Sequence, residues 1–161
     1  MGTGQSVLIH NTTNWRIQNE LNLACEALTF SPDDRTLAVL NDSGAHVYGT
    51  DDWREQALVP AIGAGPGRLC FVGRNGLLAI LRRSGPDVEL WDVNTRQNVA
   101  ALAGDGLTVA LASSPDGHWI ATGNSEGELR VWDASTRTLV AHSKAHARWL
   151  HSLAFSPDGD N

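Results

Sequence analysis

Short apolar runs separated by turns rich in Pro, Asp, Asn and Gly recur along the whole chain of 161 residues. One unit begins with the run Thr108 to Ser113, followed by Ser-Pro-Asp-Gly at 114–117. Pro in second place of such a turn presets φ, and Asp and Gly suit the places after it. Further strands are predicted at Trp119–Thr122, Leu129–Trp132 and Arg137–Ala141. No run keeps a helical period over about eleven residues, so the pattern predicts an all-β chain.

The same four runs occur in two earlier units. They are Arg68–Val72, Leu77–Leu81, Val88–Trp91 and Gln97–Leu102 in the second unit, and Ala24–Phe30, Thr36–Leu40, Ala45–Tyr48 and Trp53–Val59 in the first. An offset of 38 residues maps His10 onto Tyr48, so Ser6–His10 is predicted to be the third strand of a still earlier unit. Leu150–Phe155 is predicted to be the first strand of a later one. Each predicted sheet is apolar on both faces, as in sheets packed between neighbours.

A dipeptide tag accompanies the units. Trp91-Asp92 and Trp132-Asp133 stand 41 residues apart, and Ser-Pro-Asp turns begin at Ser31, Ser114 and Ser156. A period near 40 with this tag is typical of repeat architectures. The chain resembles the WD-repeat family of β-propellers, which implies four-stranded antiparallel blades in an incomplete ring. The expected boundaries are 24–59, 67–102 and 107–142 for whole blades, with 1–23 ending a preceding blade and 146–161 starting a following one.

The resemblance also implies a hydrogen-bonded brace. Family members often link a His before the first strand, a Ser or Thr on the second, an Asp in the next turn and the Trp. Thr122 and Trp132 fit two of these positions, and His146 fits the His position of the last unit. Glu126 stands where Asp is expected, and Gly104 where His is expected. The brace is therefore expected to be incomplete in every blade.

Charge and hydropathy exclude several classes of protein. The net charge is −6 without a basic stripe, which argues against nucleic acid or an anionic membrane as the main partner. No apolar run approaches the length of a membrane span, and no secretory signal is visible. A cytoplasmic protein is expected.

Candidate metal and cofactor chemistry is weak. Cys25 and Cys70 lie at equivalent places in neighbouring repeats and have no partners at metal-ligand spacing, so they are expected to be small buried strand residues. His142, His146 and His151 cluster without a Cys or acidic ligand nearby, which favours a brace or surface role over zinc. We expect no cofactor and no metal.

One segment matches a catalytic pattern. Gly123-Asn124-Ser125-Glu126-Gly127 has the spacing of a nucleophile elbow. That motif needs a strand-to-helix turn with a His and an acid near the Ser, whereas this segment is predicted to join two strands. We therefore expect no enzyme, with a propeller-type serine hydrolase using Ser125 as the alternative.

Binding is the remaining function. The resemblance implies a non-catalytic scaffold, part of a larger signalling or regulatory protein, that binds a protein or peptide through its loop rim. The predicted rim residues are Trp149, Arg148, Arg82, Arg83 and Ser125, and Trp149 is favoured because Leu107, Gly65 and Leu23 stand at its equivalent places. We favour completion of the ring by the rest of a longer chain; the alternative is a half-propeller that self-assembles with a second chain.

Overall fold

The computed structural model describes residues 6–60, 67–82 and 87–159. In these ranges the chain forms fourteen β-strands and no helix, which confirms the all-β prediction. The strands are β1 (Val7–His10), β2 (Ile17–Leu21), β3 (Ala27–Phe30), β4 (Thr36–Asn41), β5 (Gly44–Gly49), β6 (Glu55–Pro60), β7 (Gly67–Val72), β8 (Leu77–Arg82), β9 (Val88–Asp92), β10 (Gln97–Leu102), β11 (Thr108–Ser113), β12 (Trp119–Asn124), β13 (Glu128–Asp133) and β14 (Leu139–Lys144). The described part of the chain contains no helix with the length and apolar character needed to cross a membrane.

The strands form one hairpin and three antiparallel sheets. Strands β1 and β2 pair with each other. Strands β3–β6, β7–β10 and β11–β14 form four-stranded sheets in which each strand pairs with its neighbours in sequence. We call these sheets blades 1, 2 and 3. They confirm the predicted fold class of propeller-type blades.

Blade 2 lies between the other two, and its second strand shows this most clearly. Leu78 and Ile80 of β8 belong to the core shared with blade 1. Ala79 and Leu81, which point the other way because successive side chains alternate, belong to the core shared with blade 3. Both faces of one sheet are therefore buried, as the apolar pattern predicted.

The turn after each Trp-Asp pair is closed by the Asp. The carboxylate of Asp133 accepts the backbone N–H groups of Ser135 and Thr136, both at 2.8 Å. These bonds, with the Ser135 hydroxyl, lower the pKa of Asp133 to about 2. The Asp of the tag thus has a local structural role.

An Arg four residues after the Asp of each tag connects neighbouring blades. Arg137 has a φ of 62° and donates from Nη1 to the carbonyl of Val99 on β10, at 2.8 Å. Arg96 repeats this with a φ of 58° and a bond of 2.9 Å from Nη2 to the carbonyl of Gln56 on β6. The left-handed backbone turns each arginine toward the outer strand of the preceding blade.

Two glycines allow the first turns of blades 2 and 3 to touch. Gly73 and Gly117 both have positive φ, 64° and 76°. A Cβ added to Gly117 would lie 2.4 Å from the Cα of Gly73. Only glycine therefore fits this close approach.

The predicted strand over Leu150–Phe155 is wrong. Residues 151–156 have no regular structure and pair with no strand in the described ranges. A first strand needs the second strand of its own blade for its ladder, and none of the described strands offers that edge. Leu150 is nevertheless buried, against Gly123 of β12.

The expectation for the cysteines is only partly met. Cys25 is exposed and precedes β3, which begins at Ala27 rather than at Ala24. Cys70 lies on β7 opposite Ala79, and burial raises the pKa of its thiol to about 12. The register aligns Cys70 with Thr29 rather than with Cys25, because Thr29 faces the matching alanine of β4. Both thiols are free.

Candidate interaction surface

The first strands of the three blades come together, and a cavity lies where they begin. Strand β7 contacts both β3 and β11. The cavity has a volume of about 500 Å³ and is lined by Glu26, Arg68, Leu107, Val109, Trp149 and His151, among others. We call it the axial cavity.

Arg68 ties the elements around the axial cavity together. Its Nε donates to the carbonyl of Val109 on β11 at 2.7 Å, and its Nη2 donates to the carbonyl of His151 at 3.2 Å. The fork of the guanidinium suits two acceptors at once. Blade 2, blade 3 and the segment after blade 3 are held together at this point.

Trp149 stands at the edge of the cavity and is 46% exposed. Its ring stacks on that of His151, with 5.5 Å between ring centroids and 12° between planes. Its backbone N–H donates to the carbonyl of Ser125 at 2.9 Å. Arg148 beside it is exposed. The structure therefore brings Trp149, Arg148 and Ser125 to one place.

Arg82 is not on the exposed rim, contrary to the expectation. It ends β8 and is only 4% exposed, because the register places it on the same face as Leu78 and Ile80. Within residues 6–60, 67–82 and 87–159, its Nε and Nη2 have no hydrogen-bond partner. Burial lowers the pKa of the guanidinium, and the charges of Glu89 and Glu26 oppose that effect. Arg83 lies outside the described residues.

Sequence reasoning missed Arg68, His151 and Glu26 as members of this surface. Arg68 was assigned only as the start of a strand, and His151 only as part of a histidine cluster. The usable signal was the place of Arg68 at the start of the first strand of blade 2, because the first strands of the three blades contact one another. The three residues come from three separate parts of the chain, so spacing alone does not join them.

The brace residues are arranged differently in the two Trp-Asp blades. In blade 3 the indole N–H of Trp132 donates to Oγ1 of Thr122 at 3.2 Å, in a buried contact. In blade 2 the indole N–H of Trp91 donates to Oε2 of Glu89 at 2.8 Å. His146 is exposed, and its backbone N–H donates to the carbonyl of Gly127 at 3.0 Å.

The remaining chemistry of the surface is limited. Within residues 6–60, 67–82 and 87–159, no cluster of three His, Cys, Asp or Glu side chains is arranged to hold a metal ion. Ser125 lies in the hairpin turn between β12 and β13, which Gly127 closes with a bond of 3.2 Å to the carbonyl of Asn124. That position is the turn expected from the sequence and differs from the strand-to-helix elbow of a hydrolase.

Comparison with known proteins agrees with the geometry. The family model for the WD domain, G-beta repeat, matches residues 97–133. The target of rapamycin complex subunit wat1 of Schizosaccharomyces pombe is 35% identical over 94 residues, which cover 56% of this chain and 29% of that protein. The nuclear distribution protein PAC1 of Arthroderma benhamiae is 25% identical over 137 residues, covering 79% of this chain and 28% of that protein.

A third relative is the probable cytosolic iron-sulfur protein assembly protein 1 of Cryptococcus neoformans. It is 37% identical over 65 residues, covering 37% of this chain and 15% of that protein. The chain thus matches less than a third of the length of each of these relatives. Residues 97–133 thus match a WD repeat, and these similarities support the WD-repeat family that the Trp-Asp tags indicated.

Proposed function

We propose that this chain is a non-catalytic interaction scaffold that binds a protein or peptide at the axial cavity, through Trp149, Arg148 and Ser125. WD-repeat proteins related to it are typically protein-interaction scaffolds. Two relatives carry the words complex subunit and assembly protein in their names. A role within a larger signalling or regulatory protein and a cytoplasmic location, in keeping with the cytosolic relative, belong to the same proposal.

The observation that supports this proposal best is the exposed and preorganised ring of Trp149. A large aromatic surface at an interface contributes most when little motion is lost on binding. The stack on His151 and the backbone bond to Ser125 already restrict the ring. Trp149 is therefore suited to be the anchor for an apolar side chain of the partner.

The charges around Trp149 suggest what else the partner carries. Arg148 is exposed beside the ring, and no described ion pair uses its guanidinium. An acidic group next to the apolar anchor would suit that position. Arg83 remains a predicted contributor, whereas the burial of Arg82 argues against a direct contact.

The test is quantitative capture of partners from a cell extract with the tagged chain as bait. We expect the double variant Trp149→Ala and Arg148→Ala to lose its partner by about 30-fold, since a binding hot spot is worth about 2 kcal/mol or more. Trp15→Ala is the matched control, because Trp15 is 75% exposed but lies on the β1–β2 turn. Equal capture by the double variant and the unaltered chain would contradict the proposal.

A native mass measurement on the same tagged chain distinguishes binding of a partner from self-assembly. Leu28 and Phe30 on β3 are each 47% exposed, which supports the alternative that a second copy of the chain covers that face. A native mass measurement would then find a discrete dimer. A monomer that still captures a partner through Trp149 favours the scaffold.

A further inference from the structure

Blade 1 carries a histidine that contacts both a serine and a glutamate. Ser43 lies in the exposed turn between β4 and β5, His46 on β5 and Glu55 on β6. Ser43 Oγ is 2.7 Å from His46 Nε2. His46 Nδ1 is 3.3 Å from Glu55 Oε2. The order of groups is that of a nucleophile, a base and an orienting acid.

The hairpin holds the serine and the imidazole in place. Asn41 is buried, and its Oδ1 accepts the backbone N–H of Ser43 at 2.8 Å and the Ser43 hydroxyl at 2.6 Å. The His46 side chain is only 16% exposed. Its ring stacks on buried Tyr48, with 6.5 Å between centroids and 17° between planes. Both groups are thus positioned by buried neighbours rather than by solvent.

Glu55 reaches the imidazole because the outer ladder is irregular at this point. Glu55 pairs with Tyr48, and the register shifts between Val47 and Tyr48. The carboxylate is 42% exposed and lies 3.3 Å from Nδ1 without an aligned hydrogen bond. A carboxylate beside Nδ1 favours the tautomer that carries its proton there, which leaves the lone pair of Nε2 facing Ser43.

The hydroxyl proton of Ser43 has two acceptors within reach, Asn41 Oδ1 and His46 Nε2. A rotation about the Cβ–Oγ bond moves the proton from one to the other without displacing Oγ. In the second orientation the oxygen is hydrogen-bonded to a base and open to solvent, which is the state that attacks an electrophile.

We propose that Ser43 is a nucleophilic serine that accepts an acyl group from an activated ester, such as an aryl ester of a short-chain acid. Ser43 Oγ forms a bond to the ester carbonyl carbon while His46 Nε2 takes the hydroxyl proton. The bond from carbonyl carbon to aryloxy oxygen then breaks, and His46 returns the proton to the departing aryloxide. The products are an acylated Ser43 and a free phenol, and Glu55 stabilises the imidazolium formed in between.

Among the described residues of the three blades, this combination of groups occurs in blade 1. At the register of His46, two residues before the aromatic of the third strand, blade 2 has Glu89 and blade 3 has Arg130. Neither can act as a neutral base toward a turn serine. The step ends at acylated Ser43 without turnover, so this inference adds to the non-catalytic scaffold function, and it shares no residue with the rim around Trp149.

A fluorophosphonate probe and p-nitrophenyl acetate test the proposal on the full chain. We expect an adduct that peptide mass mapping places on Ser43 and that Ser43→Ala abolishes. His46→Gln should slow labelling by about 100-fold, which is the low end of what a general base contributes. Glu55→Gln should slow it less, since the contact is loose and partly solvated.

Ser135→Ala is the matched control, because Ser135 is an exposed turn serine hydrogen-bonded to a carboxylate, Asp133, at 2.7 Å. Its labelling should equal that of the unaltered chain. If His46→Gln does not fold, the comparison of the Ser43 and Ser135 peptides within one digest of the unaltered chain decides. Absence of an adduct on Ser43, equal labelling of both serines, or a labelling rate that does not depend on His46 in a folded variant would overturn the proposal.

Discussion

Blades 2 and 3 carry the same Trp-Asp tag, but the indole N–H of the tryptophan donates to a different acceptor in each blade. In blade 3 the indole N–H of Trp132 donates to Thr122 on the second strand. In blade 2 Ile80 occupies the place of Thr122 and offers no acceptor, so Trp91 donates to Glu89 on its own strand. A buried indole N–H needs an acceptor, and either strand can supply it. The comparison teaches that the tag specifies the blade but not the partner of its tryptophan.

The ends of the second strands differ as well. Asn124 in blade 3 accepts the backbone N–H groups of Glu126 and Glu128 at 3.0 and 2.9 Å. Its Nδ2 donates to the carbonyl of Asp105, before the blade, at 2.7 Å. In blade 2 the same position holds Arg82, whose buried Nε and Nη2 have no hydrogen-bond partner in the described part of the chain. In blade 3 the Asn124 side chain therefore links the turn to the preceding loop by hydrogen bonds, whereas blade 2 has a buried cation at this position.

The largest effect on stability is expected from removing the Asn124 hydrogen bonds of blade 3. Asn124→Ala should lower the free energy of unfolding by about 3 kcal/mol, since it removes three part-buried hydrogen bonds of about 1 kcal/mol each. Arg82→Met should instead raise it by about 1 kcal/mol, because it removes a buried cation whose Nε and Nη2 have no hydrogen-bond partner among the described residues, and keeps an unbranched chain. Urea denaturation of the full chain measures both.

A matched control for this pair is Asn94→Ala. Asn94 is exposed, and its Nδ2 lies 3.5 Å from the carbonyl of Asn75. Its removal should change stability by no more than about 0.5 kcal/mol. If Arg82→Met destabilises the chain as much as Asn124→Ala, the buried guanidinium of blade 2 has a stabilising role and the contrast between the blades is wrong.

A smaller effect is expected at the brace of blade 3. Thr122→Val preserves the shape of the side chain but leaves the indole N–H of Trp132 without its acceptor, which should cost about 1–2 kcal/mol. Thr122→Ser retains the hydroxyl and should cost less. Thermal unfolding of both variants distinguishes the lost acceptor from the lost methyl group; a Ser variant less stable than the Val variant would show that packing dominates.

The smallest effect is expected from the first turn, where blade 3 has Asp116 and blade 2 has only Gly73 to Gly76. The Ser114 hydroxyl, followed by the backbone N–H of His118, lowers the pKa of Asp116 from 3.8 to about 2. Because the folded-state pKa is depressed, the contribution is present above the unfolded value of 3.8 and is lost as the pH falls toward 2. Stability should therefore decline across that window.

Asp116→Asn should reduce this decline without removing it, since Asp133 also has a pKa of about 2. Urea midpoints measured at several pH values between about 6 and 2 provide the test. A variant whose difference from the unaltered chain is the same at both ends of that range would show that Asp116 does not titrate with folding.

Some elements were predictable because their causes are local. The run Thr108–Ser113 and the outer run Gln97–Leu102 have the observed bounds of β11 and β10. Period-two alternation and turn residues are read within a few positions, so they need no knowledge of the fold. The strand at Leu150–Phe155 was predicted by the same pattern and failed, because a strand also needs an edge to pair with.

The candidate sites were less predictable because they depend on contacts between distant parts of the chain. The sequence predicted Arg82 as a rim residue, but the packing of blade 2 against blade 1 buries it. Arg68 and His151 are 83 residues apart and meet only at the axis. Ser43, His46 and Glu55 lie close in sequence, but a register shift in the outer ladder is what brings the glutamate to the imidazole.

What the amino-acid sequence determined by itself was the kind of unit and its repetition: strands of alternating polarity, the turns between them, and the Trp-Asp tag at the end of the third strand. The tertiary structure alone decided which polar side chains are covered, which are paired and which face the axis. The physical reason is that secondary structure follows from nearest neighbours along the chain, whereas burial and hydrogen bonding follow from which sheet lies against which.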